Sequence, residues 1–344
     1  MKATIYRRNG GPEVMALEDV PAPEPGPGEV LVRVAVSGVN PTDWKSRQGA
    51  PPAEGWQIPN QDGSGRVVAV GEGVDPGRVG ERVWLWESAQ RRPWGTAAEY
   101  SLVPAERAVP LDPAASYELG ASLGVPFITA HLCLTAGATT ADRLEPGALD
   151  GRVVLVQGGA GAVGNAAIQL ARWAGATVIS TVSSPEKAEL ATAAGSHHVI
   201  DYHRQDVVTE IRKLAPNGVD VVVEVAVTAN AAVDAAVLGL HGVVAIYAGT
   251  GDEALTVDIR PMMMLSTRWQ FILMYTMPIE AKTAAIDGVQ AAVAAGAVRV
   301  GDAAGLPLHH FTLEQTSAAH AAVADGAVGK VLITIDDDPA VEES

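Results

Sequence analysis

Three glycines within one short run carry the clearest chemistry of the sequence. Gln157 to Gly164 reads QGGAGAVG, so Gly159, Gly161 and Gly164 form a G-x-G-x-x-G. With 36 glycines in the chain the spacing alone says little, but its setting says more. The apolar run RVVLVQ (152–157) comes directly before it and the amphipathic AVGNAAIQLARWA (162–174) directly after. A strand, a glycine turn and a helix N-terminus in that order suit the diphosphate of a dinucleotide. The first glycine allows the turn, the second admits phosphate to the backbone, and the third lets helix pack on strand. The free N–H groups and the positive end of the helix then bind the anion.

The end of the next strand bears on NAD against NADP. A carboxylate about 20 residues past the motif would bind a ribose 2′-hydroxyl. Thr181, Val182, Ser183 and Ser184 stand there instead, and the first carboxylate is Glu186. The hydroxyls of Ser183 and Ser184 with the ammonium of Lys187 suit a 2′-phosphate, which needs donors and a cation. Tyr202, after the third strand, adds a phenolic donor. NADPH is the expected cofactor.

These residues need a scaffold, and the periodicity supplies one. After Pro126 strand-like and helix-like segments alternate: strands over 152–157, 177–182, 198–200, 219–225 and 242–249, helices over 162–174, 185–194, 207–215 and 230–240. Such alternation predicts an α/β domain with a doubly wound parallel sheet, and its strands are continuously apolar as parallel strands should be. Before Pro126 the short runs EVLVRVAVS (29–37), GRVVAVGEGV (65–74), ERVWLWES (81–88) and AAEYSLVP (97–104) predict a barrel-like β unit. The GRVVAVGEGV run reads as two strands about a glycine turn. PAPEPGPG (21–28) is too rich in Pro and Gly for helix or central strand. A long helix at 279–296 and a strand at 330–335 fall outside the alternating series. The chain is therefore expected to return to its first domain, giving 1–126 with 279–344 as one domain and 127–278 as the cofactor domain.

Composition excludes several classes. The chain has 344 residues, 48% of them hydrophobic, and a formal net charge of −16. That charge repels phosphate backbones and anionic lipid, so neither nucleic acid nor membrane is an expected partner. Cys133 is the single cysteine, which excludes an internal disulfide and a four-cysteine zinc site. No apolar core follows the charged N-terminus as a secretory signal requires. The longest apolar stretch, 219–249, is broken by Glu224, Asn230, Asp234 and His241, so no membrane span is expected. A cytoplasmic protein is the plain expectation, with the acidic IDDDPAVEES (335–344) frayed.

Several stretches together resemble the medium-chain dehydrogenase/reductase superfamily, within it the zinc-free quinone oxidoreductase branch that includes zeta-crystallin. They are the opening 1–44, ending GVNPTDW, then IPNQDGSGRVVAVGEGV (58–74), LGVPFITAHLCL (123–134), VLVQGGAGAVGNAAIQLARWAGATVI (154–179) and GKVLI (329–333). The resemblance implies a GroES-like β-barrel catalytic domain plus a Rossmann NADPH-binding domain. Zinc-dependent relatives place a catalytic cysteine where this chain has Asn40, and a His-Glu pair where it has Gln61 and Asp62. Amides are poor zinc ligands, so no metal is expected. Without a Lewis acid, the remaining chemistry is hydride transfer to an acceptor that is already electrophilic. A quinone is such an acceptor; the alternative is an α,β-unsaturated carbonyl, as for an enoyl or alkenal reductase.

The same resemblance puts Asn40 beside the nicotinamide, as a cofactor contact and the catalytic candidate. It also implies that Thr129 touches the nicotinamide side, that Tyr247 flanks the nicotinamide ribose, and that Ala162 and Val163, which follow the glycines, approach the diphosphate. Trp44 and Trp56 are candidates to wall the acceptor pocket. WQFILMYT (269–276) stands where the family has the last strand of the cofactor sheet. An exposed apolar edge there requires a partner, and a two-fold homodimer through this strand is expected.

Overall fold

The structure is a computed structural model that describes residues 1–49, 51–137, 141–249, 251 and 254–336. Residues 337–344, most of the stretch expected to fray, lie outside the described residues. Two units arise, 1–125 with 308–344, and 126–307.

The first unit is β-rich, as its short alternating runs require. β1 (Lys2–Ile5) and β2 (Ala16–Asp19) pair antiparallel as a separate ribbon. Then come β3 (Glu29–Val39), α1 (Pro41–Gly49), β4 (Asp62–Val70), β5 (Arg82–Leu85), β6 (Tyr100–Pro104) and β7 (Ala108–Pro110). β4 ends at Val70, and the short strand expected beyond its glycine turn is absent: Val74 N–H closes a turn onto Gly71 instead. α2 (Tyr117–Leu134) runs through the division of the chain at Val125–Pro126.

The second unit holds β8 (Val153–Val156), α3 (Ala162–Trp173), β9 (Thr177–Val182), α4 (Pro185–Ala193), β10 (His198–Asp201) and α5 (Val207–Leu214). It continues with β11 (Val219–Glu224), α6 (Val227–Val237), β12 (Leu238–Ile246), α7 (Ile259–Leu265), β13 (Arg268–Phe271) and α8 (Ile279–Ala294). The six strands are all parallel in the order β10-β9-β8-β11-β12-β13. Leu155, Ile179, Val222 and Val244 fill one side of this sheet. The strand order reverses between β8 and β11, and ligands of such sheets bind beyond the carboxyl ends at that point.

Three expectations are corrected here. The helix expected at 230–240 starts at Val227 and ends at Val237, because Leu238 already pairs with Val219 in the sheet. The domain boundary expected at 279 falls at 307. α8 packs against α3, burying Ala285, Val289 and Ala292. Asn165 and Gln169 of α3 then hold the carbonyls of Ala304 and Arg299 at 2.8 and 3.0 Å. Finally, the strand expected over 269–276 covers only Arg268–Phe271. Its ladder stops where β12 stops, at Ile246, and a 3₁₀ turn over Met274–Thr276 follows.

The chain returns to the first unit as β14 (Leu308–Thr312), α9 (Thr316–Ala324) and β15 (Lys330–Thr334). β15 pairs with β3 over Val36–Val39, while β6 takes the other half of β3 over Glu29–Arg33. β3 thereby ties the C-terminal return to the N-terminal strands, and its last residue delivers the chain to Asn40. Among the described residues no helix is long and apolar enough to cross a membrane.

Candidate functional site

In the second unit the glycine turn follows β8 and opens α3 as its spacing predicts. The three glycines of the motif are not equivalent. A Cβ on Gly159 would lie 2.8 Å from Ser180 Cβ, and one on Gly164 would lie 2.4 Å from the Gly158 carbonyl oxygen. Packing fixes both as glycine. A Cβ on Gly161 would meet nothing nearer than 3.5 Å, an ordinary contact. Packing therefore does not require glycine at that position. No side chain caps α3, so the N–H groups of its first turn, from Ala162 through Gly164, have no intrahelical acceptor. An open backbone cradle at a helix N-terminus fits a diphosphate.

The residues expected around a 2′-phosphate come together at the end of β9. Lys187 Nζ donates to Ser183 Oγ at 2.9 Å. Ser184 caps α4, its hydroxyl accepting from Lys187 N–H at 3.3 Å. Tyr202 N–H donates to the Val182 carbonyl at 3.1 Å, which brings its backbone to the end of β9, and its half-exposed ring packs edge-on against His203. The group holds one ammonium, two hydroxyls and a phenol, the donor set that a phosphate monoester takes.

A polar network that local sequence did not show lies behind the turn. Gln157, the last residue before the glycines, donates to Asp234 Oδ1 at 2.9 Å and accepts from the Thr181 hydroxyl. Asp234 also faces Glu224, whose carboxylate accepts from Asn230 Nδ2 at 3.1 Å. Burial, then the charge of Glu224, pushes Asp234 up to about 9; burial likewise raises Glu224. Tyr247 is half-buried at the end of β12, its N–H bonded to the Glu224 carbonyl at 3.1 Å. Thr129 is buried on α2.

In the first unit Asn40 follows directly on β3 and is 2% exposed. Its side-chain oxygen and one of its amide hydrogens are engaged within the protein. Lys330 Nζ donates to Asn40 Oδ1 at 2.7 Å, and Asn40 Nδ2 donates to Asp62 Oδ2 at 2.7 Å. Lys330 Nζ also stands 3.4 Å from Asp62 Oδ2. Asp62 accepts in addition from Val125 N–H at 2.9 and 3.0 Å. Asp43, in the first turn of α1, accepts from the N–H of Asn40 at 2.7 Å and of Gln61 at 3.2 Å. Burial, then the charge of Asp62, lifts Asp43 to about 8; burial also raises Asp62 and lowers Lys330. Gln61 is occupied too, its Oε1 accepting from Ala89 N–H at 3.2 Å. Lys330 is the member that local sequence left out. Its only signal was the GK of GKVLI, one of the stretches that carry the family resemblance.

The two tryptophans differ. Trp56 packs edge-on against Trp94, centroids 4.8 Å apart, beside the core of Ile58 and Ala97. Trp44 lies on α1 with its indole N–H buried and without a hydrogen-bond partner.

Comparison with known proteins follows the same division of the chain. Residues 26–113 match the alcohol dehydrogenase GroES-like domain and residues 162–291 the zinc-binding dehydrogenase domain. Over 266 residues the chain is 32% identical to the quinone oxidoreductase of Rattus norvegicus, covering 76% of each. Over 230 residues, 65% of this chain, it is 36% identical to the synaptic vesicle membrane protein VAT-1 homolog of Rattus norvegicus. It spans about half of that relative, 53% of its length. A mycobacterial protein solved in complex with NADPH superposes with a TM-score of 0.79 at 27% identity, over 97% of this chain and 99% of the other. A GroES-like domain joined to a Rossmann-like parallel-sheet domain defines a two-domain oxidoreductase. The chain belongs to the medium-chain dehydrogenase/reductase superfamily, among its quinone oxidoreductase-like members.

Proposed function

We propose that this protein is an NADPH-dependent quinone oxidoreductase that needs no metal ion. The observation that carries the reading is the donor group at the end of β9, where Lys187, Ser183, Ser184 and Tyr202 stand in place of a ribose-binding carboxylate. Gly159, Gly161, Ala162, Val163 and Gly164 would hold the diphosphate, and Thr129 and Tyr247 the nicotinamide end. When bound, NADPH supplies a hydride. The quinone gains that hydride and one proton from water, which balances as hydroquinone and NADP⁺. Asn40 offers an N–H to the acceptor oxygen, and Trp44 and Trp56 bound the acceptor space.

Metal independence is supported by the donor set. Asn40 and Gln61 are amides already bonded within the protein, and the Lys330 ammonium contacts both Asn40 and Asp62. A divalent ion there would meet a fixed positive charge. A homodimer is supported by β13, the last strand of its sheet. Phe271 at its end and Leu273 just beyond are 66% and 56% exposed, and Met263 and Met264 of α7 are 69% and 72% exposed. A second copy pairing along this edge would cover them. The lone, buried Cys133 suits a cytoplasmic protein.

Steady-state oxidation of NADPH and NADH with 1,4-benzoquinone, before and after exhaustive chelation, tests the reading. Preferential NADPH turnover that survives chelation is expected. Loss of turnover on chelation, restored by zinc, overturns the metal-free part. Faster turnover with an enone than with the quinone replaces the acceptor.

A further inference from the structure

We propose that Lys330 is a positioning residue that acts through Asn40, clamping its carboxamide with Asp62 so that the remaining N–H donates to the acceptor oxygen. The inference rests on the reading of the chain as a reductase of quinone-like acceptors.

The chemistry of the three groups fixes the amide. An ammonium only donates, so the atom 2.7 Å from Lys330 Nζ is the amide oxygen. A carboxylate only accepts, so the atom 2.7 Å from Asp62 Oδ2 is the amide nitrogen. Flipping the amide would set oxygen against carboxylate and N–H against ammonium. One hydrogen of Nδ2 is used by Asp62, and the other has no partner among the described residues. Asp43 holds the Asn40 backbone N–H at 2.7 Å, so the main chain is anchored as well.

The clamp also alters the amide as a donor. A cation bonded to the amide oxygen draws electron density from the nitrogen, and its N–H groups become better donors. Such a donor favours the negative charge that builds on a carbonyl oxygen as hydride arrives.

The surroundings are shaped to hold the clamp. A Cβ on Gly124 would lie 2.1 Å from Asp62 Oδ1. Lys330 and Asp62 are 1% and 0% exposed. Burying an ion pair often costs more than packing apolar groups of the same size, so this pair is a poor device for stability alone.

The test compares wild type with Lys330→Met and with Lys330→Met/Asp62→Asn, whose cluster is neutral and keeps a folded control. The acceptors are substituted 1,4-benzoquinones of falling reduction potential. Weak acceptors need the polarising donor most. We expect kcat with the weakest quinone to fall by about tenfold, the factor of one hydrogen bond, and with the strongest to change little. The Kd for NADPH, read by tryptophan quenching, should not move. Equal losses across the series, or none, overturn the inference and leave a structural role. Wild type that oxidises no NADPH with any acceptor overturns the functional reading and this inference with it. A second measurement needs no variant: in asparagine-labelled wild type with NADP⁺, adding hydroquinone should shift one of the two Asn40 Nδ2 protons. An unmoved pair also overturns the inference.

Discussion

The two units organise polar chemistry in opposite ways. In the second unit the glycine turn leaves backbone N–H groups open and keeps side chains away, as Gly161 shows. In the first, Asn40, Asp43, Asp62 and Lys330 close on one another until almost no polar atom is spare. An anion site assembled from backbone needs only the start of a helix and bare carbons. A cluster of buried charges must be complete, since each member relies on the others for neutralisation. The first arrangement tolerates an empty state, whereas the second collapses if one partner is removed.

That contrast is sharpest in stability. Lys330→Met leaves Asp62 buried beside an apolar side chain, and removing one partner of a buried pair costs about 3–5 kcal/mol. Urea unfolding should show this as a large fall in midpoint, mostly recovered in Lys330→Met/Asp62→Asn. A single variant as stable as wild type would mean that Asp62 is neutral in the fold, and the contrast would fail.

The glycine turn predicts a smaller effect, split between two positions. Gly164→Ala forces Cβ into the Gly158 carbonyl oxygen and should destabilise by about 1–3 kcal/mol, as overpacking does. Gly161→Ala should unfold at the wild-type midpoint yet bind NADPH at least about tenfold more weakly, through one lost close approach. If Gly161→Ala binds normally, the open space serves no ligand.

How much of this was legible depended on distance along the chain. The turn, β8 and α3 lie within some twenty consecutive residues, so spacing and periodicity located them. Ser183, Ser184 and Lys187 are equally local. Lys330 meets Asn40 across 290 positions, and no local pattern connects them. α8 showed its apolar face in the sequence, but a face does not say which unit it covers; Asn165 and Gln169 settled that by binding the segment beyond it. The run 269–276 is apolar throughout, yet its strand stops after Phe271, because ladder length is set by the partner β12. Asn40 stands out along the chain only through GVNPTDW, while its two internal partners, Asp62 and Lys330, lie 22 and 290 positions away.

Lys187→Ala tests the donor group at a smaller scale. A hydrogen bond to a charged group contributes about 1.5–3 kcal/mol, so KM for NADPH should rise by ten- to a hundredfold. KM for NADH, which lacks the phosphate, should stay put. Equal changes for both would place Lys187 elsewhere in the site, and the second unit would no longer read as built for a phosphate monoester.

The last comparison is between the buried acids of the two units. Asp234 titrates at about 9 in the fold, against about 3.9 in an unfolded chain. Between those values the folded state carries a proton that the unfolded state has lost. Stability is therefore fully present below about pH 4 and declines as pH rises toward 9, with a limiting slope of about 1.4 kcal/mol per pH unit per proton. Asp43 works in the same direction but only up to about pH 8. Asp234→Asn keeps an oxygen for Gln157 Nε2 and an N–H for Glu224, so the network stays bonded without a proton to lose. Thermal unfolding at pH 6 and pH 9 should show a smaller alkaline fall for Asp234→Asn than for wild type, by up to about 4 kcal/mol. Asp43→Asn should leave most of the fall between pH 8 and pH 9 in place, because its own proton is already half gone at pH 8. If Asp43→Asn flattens that last unit and Asp234→Asn does not, the alkaline-sensitive acid belongs to the first unit, and the network behind the glycine turn holds its carboxylates ionised throughout.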